Sequence, residues 1–353
     1  MRYHVDAWYP GYGTSAEGGG VEPGEAGPTV ESSAQVDPGV ELAPAHWRPL
    51  DAPPGVRPPD VVLLVDGVRR IDAGLWTDEE GGESYPALAA SYAAGVVRCD
   101  LRRGAAELVV RRLDRGLFTA SPQAPDLVAG SVRYRVHRVG ATDVARLGAT
   151  VQGPLTELEV AVSVEARQSS AADADLLVVD GPLRRRRQLA HTVGYVKTQQ
   201  GRYLPGSLAA VVTSLAPGQR CPVFQVGTAW GGYSWYLRLP GPRGAPWAGI
   251  ARVECSPELA PQQAVELADL SVVTLPRFAS SSYKDPRAPQ NLVPIAGLER
   301  RLRGLLGDAR LLHRTLVGAA TGAAGGGAWL RAGAGDASAV ASARAGASAT
   351  VGG

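Results

Sequence analysis

The sequence predicts an α/β fold, a mixed β-sheet with flanking helices and additional β-strands. Three observations carry this. Two continuous apolar runs of strand length, PDVVLLVDGV (59–68) and DLLVVDGPL (175–183), each end in Asp-Gly, the pattern of strands buried on both faces. Short breaks such as EEGGES (79–84) separate the first run from the strand-like runs after it, which makes them antiparallel neighbours. Helix-patterned segments stand before the second run and again near the end of the chain.

Taken in order, 59–68 is the first strand. RRIDAGLW (69–76) follows almost without a loop, and ASYAAGVVRCDL (90–101) completes a meander. AELVVRRLD (106–114) and GSVRYRVHRV (130–139) are further strands. PLTELEVAVSVEARQSS (154–170) reads as a helix, with Pro154 in its first turn and Leu155, Leu158, Val162 and Ala166 on one face. After the second apolar run come VGYVKTQQG (193–201), PVFQVG (222–227), YSWYLRLP (233–240), GIARVECS (249–256) and LSVVTLP (270–276), all of strand character. Helices over 297–307 and 308–317 close the ordered region, Gly307 ending the first and Asp308 capping the second.

The ends differ in composition. Residues 14–59 are rich in Gly, Pro, Glu and Ser without a regular apolar period, and between 16 and 42 every charge is acidic. They are expected to be a mobile acidic loop, so 1–58 forms an N-terminal segment and 59–317 the folded domain. The Gly/Ala-rich stretch 318–353 is expected to be a disordered tail, because such residues bury too little to offset their ordering entropy. No apolar run approaches the length of a membrane span, and MRYHVDAWYP lacks the basic and apolar regions of a signal peptide. Cys99, Cys221 and Cys255 stand far apart, without metal-ligand spacing. A cytoplasmic protein without a zinc or disulfide framework is therefore expected.

A net charge of +2 does not by itself imply a nucleic-acid partner, but its distribution is uneven. Arginine clusters at 102–103, 111–115, 184–187 and 300–303, whereas lysine occurs only at Lys197 and Lys284. Asp66 and Asp180 end the two most apolar strands, and a glutamate-bearing helix lies between those strands in sequence. In an open mixed sheet, acids at the ends of adjacent central strands converge on one edge. Carboxylates gathered there repel one another unless a cation neutralises them, and such hard oxygen donors suit Mg²⁺ or Mn²⁺. Glu159, beside the apolar face of its helix, is the preferred third ligand, with Glu157 and Glu165 as alternatives. Arg184, Arg185, Arg186 and Arg187 follow Asp180 closely enough to hold phosphates. Lys197, one strand on, is placed to neutralise developing charge. Arg252 and Glu254 put charges into an otherwise apolar strand, where they are costly unless paired or used, and Arg252 is a further candidate DNA contact beside Arg184–Arg187.

The succession VDGV…ELE…VVDGPL…GYVK…ARVE over residues 59–317 resembles the NurA nucleases. The resemblance implies an RNase H-like core and a Mn²⁺- or Mg²⁺-dependent deoxyribonuclease. It also implies a homodimer that processes DNA ends with a hexameric HerA-type ATPase. It makes Asp66, Asp180 and the helix glutamate the metal ligands, matches Lys197 to the family lysine, and Arg252 and Glu254 to its late Arg-x-Glu strand. The C-terminal signature departs: Ala288 and Ala296 stand where the family has a tyrosine and a histidine. Gln290, Asn291 and Tyr283 are the nearby candidates to replace them. A catalytically silent adaptor that binds DNA or the translocase is the alternative.

Overall fold

The computed structural model describes residues 2–5, 30–31, 35–169, 175–197, 201–227, 232–241, 247–281, 283 and 288–323. In chain order the strands are β1 (Arg2–Val5), β2 (Val30–Glu31), β3 (Gln35–Asp37), β4 (Val61–Asp78), β5 (Ser84–Asp100), β6 (Ala105–Thr119), β7 (Leu127–Ala129) and β8 (Val132–Arg138). Helices α1 (Val144–Thr150) and α2 (Gln152–Gln168) precede β9 (Asp175–Asp180), β10 (Thr192–Val196) and β11 (Gly201–Arg202). Then follow α3 (Gly206–Ser214), β12 (Phe224–Gly227), β13 (Tyr233–Arg238), β14 (Ile250–Cys255), α4 (Pro261–Thr274), α5 (Val293–Leu305) and α6 (Ala309–Ala323).

One large, mostly antiparallel sheet organises the described residues, in the order β3-β12-β13-β14-β10-β9-β4-β5-β6-β8-β7. β4 runs parallel to β9, and β9 to β10, so three parallel strands sit at its centre. On the other side of β4 the meander β4-β5-β6 is antiparallel throughout. The register sets Val65 beside Val179, which brings the following residues, Asp66 and Asp180, to the same edge.

Side-chain alternation along β4 assigns the helices to faces. Val61, Leu63 and Val65 pack with Val162 and Ala166 of α2, whereas Val62, Leu64 and Val68 share the larger core with Ile295, Leu298 and Leu302 of α5. The sheet is therefore sandwiched between α2 and α5, with apolar residues in both layers.

The runs 59–68 and 69–76 form one strand rather than two. β4 continues for 18 residues, and a register shift between Ile71 and Ala73 takes up the extra residue Asp72. LSVVTLP is the end of α4 and a short 3-10 turn rather than a strand. Its β-branched residues fit either state. The helical spacing of buried Ala264, Leu267, Ala268 and Val272 begins upstream, after Pro261 in the first turn, and decides for the helix. α3 was not expected.

The acidic segment divides. Residues 14–29 lie outside the described residues, whereas within 35–58 a largely irregular stretch is anchored on the sheet, a fixed loop rather than a mobile one. β3 pairs with β12, Trp47 is buried in the main core, and both carboxylate oxygens of Glu41 accept hydrogen bonds from Arg220. α6 also runs past the expected boundary at 318, to Ala323, while the remainder of the expected tail lies outside the described residues. The three cysteines are free and buried. No helix among the described residues is long and apolar enough to cross a membrane.

Candidate active site

At the edge where β4 and β9 end, carboxylate oxygens of Asp66, Asp180 and Glu299 all lie within 4.8 Å of one another. Asp66 comes from β4, Asp180 from β9 and Glu299 from the second turn of α5. Strand alternation explains the set. Asp66 continues the row Val62–Leu64, Asp180 continues Leu176–Val178, and both rows face the core that includes α5. Lys197 continues Val193–Tyr195 on the same face, and its ammonium lies 2.6 Å from the Asp180 carboxylate. The second partner of Lys197 is the Asn291 side-chain oxygen, 3.0 Å away, and the Tyr195 hydroxyl donates to the Gln290 carbonyl at 2.7 Å. These two bonds fix the approach to α5. Arg303 lies 3.5 Å from Glu299, one turn along the same helix.

Burial raises the Asp66 pKa well above the ordinary carboxylate value, and the negative charges of Asp180 and Glu299 push it the same way. Lys197 and the Gly67 backbone amide, which donates to the Asp66 carboxylate at 2.8 Å, oppose the shift without reversing it. The three acids face the Lys197 ammonium at Asp180 and the Arg303 guanidinium at Glu299. Hard carboxylate oxygens from three elements, in a largely desolvated position, form a donor set suited to a divalent cation such as Mg²⁺ or Mn²⁺.

Glu159 is not in this group; Glu299 completes it instead. α2 covers the opposite face, where the Glu159 carboxylate packs against the backbone of Gly67. A Cβ built on Gly67 would stand 2.6 Å from Glu159 Oε1. The Glu159 charge is met by Arg186 at 2.6 Å, and Arg186 is 1% exposed. Burial pushes the Glu159 pKa up and that of Arg186 down, each opposed by the attraction between them. The other helix glutamates point elsewhere, Glu157 to Arg185 at 3.5 Å and Glu165 to Arg112 at 2.7 Å.

The arginine run therefore divides. Arg186 is an internal partner of α2, Arg184 and Arg185 are exposed, and Arg187 is half-buried. Arg252 pairs with Glu254 at 2.6 Å, while the other Glu254 oxygen accepts the Leu183 amide at 2.7 Å. That pair ties β14 to the turn after Asp180. Gly194 permits it, since a Cβ there would lie 2.8 Å from the Leu183 nitrogen and 3.0 Å from Glu254 Cγ. Of the candidates to replace the departed signature, Asn291 and Gln290 act as spacers between β10 and α5, whereas Tyr283 is 81% exposed. Lys284 lies outside the described residues.

Sequence reasoning missed Glu299. The available signal was its position three residues after Ala296, on the same side of a helix already expected.

No family model matches the chain, and no curated protein matches it in sequence. Among solved structures, the NurA nuclease from Sulfolobus solfataricus is similar at a TM-score of 0.43 and 10% identity, over 79% of this chain and 88% of that one. Endonuclease V from Bacillus subtilis gives a TM-score of 0.32 at 12% identity, over 72% and 82% of the two chains. The catalytic domain of human endonuclease V gives 0.30 at 15%, over 76% and 93%. These values are too low to carry function across.

Proposed function

We propose that the chain is a metal-dependent nuclease that hydrolyses phosphodiester bonds in DNA at Asp66, Asp180 and Glu299. The observation that carries this reading is the convergence of three carboxylates from two central strands and one helix, with a lysine among them. The strand order β6-β5-β4-β9-β10, with the first strand of the meander parallel to β9, supports an RNase H-like core.

Asp66, Asp180 and Glu299 would hold Mg²⁺ or Mn²⁺, which supplies an activated water and neutralises charge on the scissile phosphate. The chain's own groups do the rest. Asn291 fixes the Lys197 ammonium at the cluster, where it can meet a phosphate oxygen as negative charge develops. The Gly67 amide orients the Asp66 carboxylate, and Arg303 braces Glu299 from the exposed side. The resemblance in sequence to NurA nucleases supports DNA ends as substrate, a homodimer, and a hexameric HerA-type ATPase as partner, in repair or defence.

End-labelled linear DNA incubated with Mn²⁺ tests this reading. Asp66→Ala, Asp180→Ala and Glu299→Ala should each lower cleavage by at least about 100-fold, equal to about 2.7 kcal/mol of barrier. Glu165→Ala, paired with Arg112 away from the cluster, should cleave as the native chain does. Absence of cleavage by the native protein with its cognate ATPase present would favour the silent adaptor and overturn the nuclease reading.

A further inference from the structure

The turn after Asp180 forms one wall of a cavity of about 600 Å³ on the α2 side of the sheet, with Pro182 in its lining. The cavity and the acidic cluster thus occupy opposite faces and share the edge at Asp180–Pro182. Arg184, Arg185 and Arg252 line it together with Tyr203, Ser234 and Glu254.

The chemistry of this lining is specific. Glu254 is committed to the Leu183 amide and to Arg252, so its charge is answered within the wall. Among the described residues Arg185 has a loose partner, Glu157 at 3.5 Å, with both side chains about two-thirds exposed at 65% and 67%. Arg184 is held at φ +45°, a left-handed conformation that a residue with a Cβ adopts at a cost, and its guanidinium reaches no closer than 3.4 Å to the Thr156 hydroxyl. The guanidinium of Arg252 lies over the Tyr203 ring, 5.1 Å from its centroid, and also donates to Ser234. A cationic and aromatic shelf therefore shares one lining with two exposed arginines able to hold a phosphate, in a volume of ligand-pocket size.

We propose that this cavity takes one unpaired nucleotide of the strand cut at the acidic cluster, its base against the Tyr203–Arg252 shelf and its phosphate on Arg184 and Arg185. The proposal rests on the nuclease reading and narrows its substrate. A base can enter such a cavity only when it is out of the duplex stack. Single-stranded or frayed ends are therefore the preferred substrate, and blunt duplex the poor one.

Binding is measured without hydrolysis, by fluorescence anisotropy of a 5′-phosphorylated, fluorescein-labelled thymidine oligonucleotide in EDTA, beside a blunt duplex with the same label. The native chain should bind the single strand at least about 10-fold more tightly than the duplex. Tyr203→Leu should weaken single-strand binding by at least about 5-fold, the lower end of base–aromatic stacking. Tyr203→Phe should retain it. Arg185→Ala, at an exposed position, should weaken single-strand binding and leave duplex binding unchanged. Equal affinity for the two DNAs, or a Tyr203→Leu variant that folds and binds like the native chain, would overturn the proposal. Competition by free thymidine monophosphate as strong as by the oligonucleotide would overturn its assignment to a strand. Because the assay contains no divalent metal, discrimination without later cleavage in Mn²⁺ removes the nuclease reading alone, and cleavage without discrimination removes the cavity alone.

Discussion

Asp66 carries the clearest consequence at the scale of one residue. Its folded-state pKa is raised, so folding takes up a proton between the ordinary carboxylate pKa and the raised value. Stability contributed by the protonated acid is complete below that window and lost as pH rises through it. In EDTA at alkaline pH, Asp66→Asn should melt about 2 °C or more above the native chain, a shift of the size that about 1 kcal/mol produces in a large domain. The advantage should vanish in mild acid and reverse when Mn²⁺ is added, because the native chain alone keeps the full ligand set. Thermal melts across pH check this; an Asn variant no more stable than the native chain in alkaline EDTA would contradict it. Asp66, Asp180 and Lys197 were legible in the sequence because each ends or follows an apolar strand. Glu299 was not, since one helical glutamate looks like another until the face its helix covers is known.

At the scale of elements, that choice of face is what separates α2 from α5. Both helices contact β4, yet a pleated strand sends neighbouring side chains to opposite sides. Asp66 therefore meets α5, and Gly67 meets α2. The sequence order of β4, α2 and β9 invites a glutamate from the intervening helix, but sequence order does not say which face that helix takes. Gly67→Ala should expose the consequence. Its Cβ would stand 2.6 Å from Glu159 Oε1 and 2.7 Å from Leu155 Cδ1, displacing the carboxylate from Arg186. Overpacking of this kind costs about 1–3 kcal/mol, read as a lower urea midpoint with an unchanged slope; a midpoint within error of the native one would show that α2 yields freely. The strand elements themselves were largely legible. Their lengths were not, because the polar residues Arg69, Arg70 and Asp72 look like a break although β4 passes through them.

At the scale of the whole molecule, the packing of 35–58 was hidden by its composition. Besides the short pairing of β3 with β12, this stretch is anchored by Trp47 and by the Glu41–Arg220–Asp269 group, with ion pairs of 2.7 Å on either side of the arginine. No periodicity announces single anchors of that kind. β4 joins distant parts in another way. Four residues after Asp66, Arg70 reaches the far end of α5, donating to the Gly307 carbonyl at 2.7 Å and the Leu306 carbonyl at 3.1 Å. Arg70 is itself held by Asp72 at 2.8 Å. The strand that presents one acid thus also grips the helix that presents another, while Lys197 and Asn291 hold that helix from its other end. The arrangement works as a caliper with both jaws mounted on one bar, and Arg70 is the screw that sets the gap. Arg70→Lys keeps a positive charge near Asp72 but loses the planar fork that spans two carbonyls. It should weaken Mn²⁺ binding by roughly 10-fold, as outer-shell changes do, with little change in melting temperature. Titration calorimetry giving native affinity would mean that the gap is set elsewhere. Under the proposed reading, a spacing held this way would tie the choice of metal ion to a residue that never touches it.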